Sequence, residues 1–240
     1  MRKGRSKFYR TVEVTGSGPF RIELDKRPLK TPLINDLAVP TSELAEAIAK
    51  EWRAQGDQID PSTMPLTRLA NTAIDRVGGR EMRIIREIVD YASSDLVCYR
   101  ASAPTGLVIR EEEHWDPILS WAAEYLGATF LAVKGISHCA QPDEALGATT
   151  RYLQQFDPMG LCALHNIATV TGSALIALAI EAGSLEPNAA WLAAHVDEDW
   201  QIQQWGSDKE AEERRSHRKH EFDSAVRLLQ LLSHRARATV

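Results

Sequence analysis

The densest group of residues able to move a proton is Glu111-Glu112-Glu113-His114, followed by Trp115 and Asp116. Carboxylates beside an imidazole are the raw material of general acid–base catalysis. A small-molecule enzyme built on the Glu111–Asp116 cluster is therefore one reading. The competing reading is the wet side of a helix whose apolar side holds Leu107, Ile118 and Trp121. His217 and His220 stand three residues apart and could share a helix face, but no third ligand accompanies them. His138 and Cys139 are adjacent, so their side chains diverge in an extended chain. No GxGxxG, GxxxxGK[ST] or GxSxG segment occurs. The residues thus lead to the expectation of no catalytic group, no metal and no cofactor.

A different pattern does recur, in which tryptophan stands beside acid. The cases are Glu51-Trp52, His114-Trp115-Asp116 and Asp197-Glu198-Asp199-Trp200, with Trp205 closing the run before Gly206. Tryptophan buries a large area at low entropic cost, which suits both a core and a protein interface. Trp52 continues the stripe of Leu44 and Ile48 and is expected to anchor the core, as are Trp115 and Trp121. Glu198, Trp200, Gln203 and Trp205, together with Asp95, are the candidate contacts for a partner protein.

The elements that must position these residues change character along the chain. Val12 and Val14 alternate with polar neighbours, Gly16–Pro19 supplies a turn, and Phe20, Ile22 and Leu24 alternate with Arg21, Glu23 and Asp25. That is the period of half-buried strands, and Pro28 and Pro32 bracket another extended piece. Helical spacing takes over at Pro40-Thr41, with Thr41 as N-cap and a stripe of Leu44, Ile48 and Trp52. Further helices are predicted after Pro65, ending at Gly78-Gly79, and from about Arg80, with Ile85, Ile88, Val89 and Ala92 on one face. Asp116-Pro117 reads as a helix restart and Gly127 as a stop, and Thr129–Val133 as a short β-like run. Pro142 opens another helix. Asp157-Pro158 starts a long apolar helix ending near Gly183, and one more runs from Pro187 to Gly206. Ser207 and Glu210 have the spacing of a capping box for a last helix, charged through Glu221 and apolar along Phe222, Val226 and Leu229. The expected fold is mostly α with a small N-terminal α+β module. It has two parts: residues 1–57, β-rich, and residues 58–240, helical, with the boundary at Gln55-Gly56-Asp57.

The chain has 240 residues, 44% hydrophobic and 25% charged, with a net charge of -5. That balance disfavours a general nucleic-acid binder, which needs a basic surface. The basic ends, Arg2, Lys3, Arg5, Lys7 and Arg10 at the front and Arg235 and Arg237 at the back, read as solvated tails. Three widely spaced cysteines, Cys98, Cys139 and Cys162, suggest a reducing compartment. Leu161–Ile180 is long enough to test as a membrane span, but His165, Asn166, Thr169, Thr171 and Ser173 interrupt it. No secretory signal opens the chain, so a cytoplasmic protein without stable membrane insertion is expected.

Six segments, in order, carry a resemblance. They are RPLKTP (27–32), KEW (50–52), MPLTRLANTAID (64–75), SSDLVCYR (93–100), HWDPILSWA (114–122) and EDWQIQQWG (198–206). They resemble the chaperone family that assembles the catalytic head of F-type ATP synthase and serves its alpha subunit. In mitochondria that family is assembly factor 2 of the head complex. The absence of a mitochondrial presequence fits a bacterial, cytoplasmic member, against a matrix location for eukaryotic relatives. The resemblance implies a small β-containing domain followed by a helical one. It also implies binding of unassembled alpha subunit, shielding of its beta-contacting surface and release as the head forms. It implies no nucleotide, metal or small-molecule substrate. An adaptor for another protein is the remaining alternative.

Overall fold

The computed structural model describes residues 5–135 and 137–237. Arg2 and Lys3, and the side chains of Arg5, Arg235 and Arg237, lie outside the described part, so the expected solvated ends are not addressed by it. The protein is mostly α-helical with a small β-containing region at its N-terminal end, as the sequence pattern predicts. Two compact units make up the chain: residues 1–81 with 157–163 and 227–240, and residues 82–156 with 164–226.

In the first unit the strands are short: β1 (Arg5–Ser6), β2 (Val12–Thr15), β3 (Phe20–Leu24), β4 (Arg27–Pro28), β5 (Ala38–Val39) and β6 (Gln58–Ile59). Strand β3 pairs antiparallel with β2, β4 and β5, and β1 pairs with β6. The register sets Val12 against Leu24 and Val14 against Ile22, so alternation in each strand becomes one apolar face. Asp25 and Lys26 both have positive φ in the two-residue connection from β3 to β4, the conformation such hairpins require. The Asp25 carboxylate steadies it by accepting from the backbone N–H of Arg10 and Thr11. Helix α1 (Ser42–Arg53) packs on this sheet, and Thr41 Oγ1 accepts from Leu44 N as the expected cap. Leu44 and Ile48 are wholly buried with Ile22, Leu37 and Val39. Each such side chain contributes about 1.5–3 kcal/mol of transfer free energy. Helix α2 (Pro65–Thr72) runs on through a π-helical turn, Ala73–Val77, and ends at Gly78-Gly79.

The second unit begins with α3 (Glu81–Ser93), whose buried face is Ile85, Ile88 and Ala92. Strand β7 (Tyr99–Arg100) pairs in parallel with β8 (Val133–Lys134). Of the predicted β-like run Thr129–Val133, only Val133 enters a strand. Helix α4 (Thr105–Trp121) is continuous through Pro117, so the predicted restart at Asp116-Pro117 does not occur. Asp116 pairs with Arg100 instead of capping. Gly127, with φ 64°, stops the helix after a π-helical turn at Ala122–Leu126. Helix α5 (Asp143–Leu153) follows Pro142, with Asp143 and Glu144 in its first turn.

Two predicted single helices are each divided. Asp157 Oδ1 accepts from Gly160 N at the start of α6 (Pro158–Thr171), but the helix breaks at Gly172, φ 68°. Ser173 then caps α7 (Ala174–Glu181) by accepting from Ile176 N. Among the described residues no helix is long and apolar enough to cross a membrane. The second division falls at His195, between α8 (Pro187–Ala194) and α9 (Val196–Trp205). In α10 (Lys209–Arg237) the start is capped one residue later than predicted: Asp208 Oδ1, not Ser207, accepts from Ala211 N. Phe222, Val226 and Leu229 are buried, as their spacing requires.

Candidate partner-binding face

Helix α9 opens with Asp197, Glu198 and Asp199 in its first turn, where the positive end of the helix dipole favours acids. The front of α10 supplies the complementary charge. Arg218 Nη2 donates to both Glu198 oxygens, at 2.9 and 2.7 Å. Arg215 Nη2 lies 2.6 Å from Asp199 and Arg215 Nη1 lies 3.7 Å from Glu198. Both arginines keep a nitrogen with no hydrogen-bond partner, Nη1 of Arg215 and Nε of Arg218. Buried His195 stands 3.8 Å from Glu198 through Nε2 and bonds the Trp191 carbonyl through Nδ1. Burial lowers its pKa, so the ring is held neutral although a carboxylate is near. Glu198 is thus a half-buried carboxylate in a basic cluster, not a free acid on a helix end.

The tryptophans divide by exposure. Trp205 is 87% exposed at the last turn of α9, while Trp200 is half-buried beneath the Arg110 guanidinium, 4.9 Å from its ring. The outer edge of the indole approaches α4 closely because residue 106 is glycine: a Cβ there would stand 2.6 Å from Trp200 Cη2. Between α4 and α9 runs an open groove of about 420 Å³. Leu192, Val196 and Ile202 give it apolar lining, and Arg110, Glu113, His114, Asp199 and exposed Gln203 give it polar lining. Four of the five expected contacts, Glu198, Trp200, Gln203 and Trp205, therefore share one helix, and Gln203 lines its groove.

Asp95 does not join them. It is wholly buried, and its carboxylate accepts from Val97 N and, at 3.0 Å, from Leu175 N, capping the start of α7. Burial pushes its carboxyl up to about 6, against the opposing hydrogen bonds from Ser173 and the backbone. The structure places this residue inside, where it has no surface to offer a partner. Among the expected anchors, Trp115 is 1% exposed and donates Nε1–H to the Ala193 carbonyl at 2.7 Å. Trp52 is only half-buried, edge-on to Tyr9, with its Nε1 unpartnered. Trp121, also half-buried, stacks on exposed Tyr125.

The Glu111–Asp116 cluster is divided by its helix. Glu111 and Trp115 point inward while Glu112, Glu113 and Asp116 are exposed. Glu111 accepts from Ala101 N, and burial followed by a hydrogen bond to Asp197 raises its pKa. His217, on the exposed front of α10, pairs with Glu221. The residues missed in the sequence are Arg215, Arg218, His195, Arg110 and Gly106. The arginines had a signal, since the acids at 197–199 are followed by a basic run from Arg214 to Lys219. Gly106 had none.

Comparison with known proteins agrees with this architecture. Residues 6–123 match the family model described as ATP12 chaperone protein. Protein atp12, mitochondrial, of Schizosaccharomyces pombe is 25% identical over 210 residues, 82% of this chain and 72% of that protein. The crystal structure of Atp12 from Paracoccus denitrificans is 36% identical with a TM-score of 0.90, covering 95% of this chain and 98% of that one. A protein of Agrobacterium tumefaciens, described as a candidate chaperone, is 42% identical with a TM-score of 0.89, over 94% of this chain and 85% of that one. With relatives this similar over nearly its whole length, the chain belongs to the ATP12 chaperone family.

Proposed function

We propose that this protein is an assembly chaperone of ATP synthase that binds the unassembled alpha subunit. It shields the surface that will contact the beta subunit and gives the subunit up as the catalytic head forms. The observation that carries this reading is the α9 face: Trp205 stands almost fully in solvent on the helix that also carries Glu198, Trp200 and Gln203 beside an open groove of mixed polar and apolar lining. A monomer gains nothing by leaving a tryptophan exposed there, whereas an interface gains a contact of high area and low entropic cost.

The physics suits temporary holding. A subunit made for a large interface exposes an apolar patch until its partner arrives, and that patch invites aggregation. Aromatic contacts supply holding energy, while the Glu198–Arg215–Arg218 cluster steers encounter and selects the partner. The test is light scattering of isolated alpha subunit diluted from denaturant. Addition of this protein is expected to suppress scattering at a one-to-one ratio without turnover. Scattering unchanged by an equimolar amount would refute the proposal.

A further inference from the structure

Residues 30–36 form a tight loop between β4 and β5 that has the hallmarks of a built protrusion. Ile34 has φ 69°, the left-handed region that glycine and asparagine tolerate and that is strained for a β-branched residue. Its side chain is nevertheless 78% exposed, next to Leu33 at 61%. The loop is held in this conformation from several directions. Ile34 N donates to Thr31 O, and Thr31 N to Asn35 O, each at 2.9 Å. Asn35 N donates to Thr31 Oγ1 at 3.1 Å. Lys30 pairs with Asp36 across the base. Asp75 closes it: one carboxylate oxygen accepts from Thr31 Oγ1 at 2.6 Å and Asn35 Nδ2 at 2.9 Å, the other from Leu33 N at 3.1 Å.

An ordinary turn relieves strain by placing glycine at the left-handed position and hides its aliphatic side chains. This one does neither. Its backbone donors are used internally, so the tip presents little but two hydrocarbon side chains. Such a tip has no means to read a polar ligand or a phosphate. Its base charges, Lys30 and Asp36, cancel in a pair, and the nearby Arg21 and Arg76 act on Asp36 and Asp75, so each cation has an acid beside it rather than forming the uncompensated basic collar that draws a loop onto an anionic bilayer. What fits it is an apolar concavity on another protein.

We infer that the Leu33–Ile34 tip is a docking knob that seats in an apolar concavity of the client chain, a second contact independent of α9. This rests on the chaperone reading above, in which the client exposes apolar surface awaiting its assembly partner. A rigid knob loses little freedom on binding, which is the advantage that three bonds to one carboxylate confer.

Ile34→Gly provides the discriminating test, because it removes the side chain and the strain together. Its melting temperature is expected to equal or exceed that of wild type, while affinity for isolated alpha subunit, read by fluorescence titration, falls about tenfold. Ile34→Asn puts a residue suited to positive φ in its place and should lose affinity equally. If wild type binds the subunit and both variants bind it as tightly, the knob is refuted and the chaperone reading stands. If wild type itself does not bind, both fall. Cosedimentation of wild type with phosphatidylserine-containing vesicles that Ile34→Asn abolishes would overturn the knob in favour of a membrane contact.

Discussion

Asp95 and Glu198 both stand at helix starts in the same unit, and their surroundings are opposite. Asp95 is wholly buried, with its oxygens committed to the backbone donors of Val97 and Leu175 and to Ser173. Glu198 stays half-exposed, held by Arg218 and approached by Arg215, on the helix that ends in exposed Trp205. An acid satisfied by backbone N–H groups fixes the chaperone's own shape. An acid balanced by partly exposed side-chain cations can exchange partners with an incoming chain. The residue type is the same, and its donors decide its role.

The largest effect expected from this contrast is on stability at the buried acid. Asp95→Ala leaves two buried N–H groups unpaired, each costing about 1–3 kcal/mol, so unfolding free energy in urea should fall by about 4 kcal/mol. A loss below about 1 kcal/mol would break the comparison at its buried end. Next, Trp52→Ala is expected to cost about 2 kcal/mol, less than the 3–5 kcal/mol of a fully buried ring, because the indole is only half-buried. Thermal melting against Trp115→Ala, which should show the full loss, ranks the two.

Smaller effects sharpen the exposed end. Glu198→Gln should lower stability by about 1 kcal/mol or less, since the pair it breaks is partly solvated, yet weaken alpha-subunit binding. Equal affinity would remove Glu198 from the face. The pH dependence is the subtlest readout. The Asp95 carboxyl is raised from 3.8 to about 6 on folding, so the folded state binds the proton more tightly. Its contribution to stability is fully present below about pH 4 and is lost as pH rises through about 6. Asp95→Asn should remove that slope between pH 4 and 6, seen as urea midpoints across the range.

Local chemistry was well written in the sequence. Thr41, Asp157 with Pro158, Gly78-Gly79 and Gly127 all punctuate helices where their side chains or backbone freedom require. Competing local signals were harder to rank. Proline at 117 is tolerated inside α4, Gly172 breaks an apolar run that reads as continuous, and Asp208 takes the cap that Ser207 was expected to fill. The face followed the same rule. That α9 is rich in acids and tryptophan is a local fact and was legible. That Asp95 turns inward, or that Gly106 admits the Trp200 ring, depends on residues 80 and 94 positions away and leaves no local trace. The grouping of residues 157–163 and 227–240 with the first 81 is equally long-range.

The central claim is that the exposed end of α9 holds the client without holding the chaperone together. Its most direct test is the Kd of isolated alpha subunit for wild type and for Trp205→Ala, with melting temperatures taken on the same samples. The account predicts a melting temperature changed by the equivalent of less than about 0.5 kcal/mol, as for an exposed side chain, and binding weakened about tenfold or more. An unchanged Kd with the fold intact would contradict it.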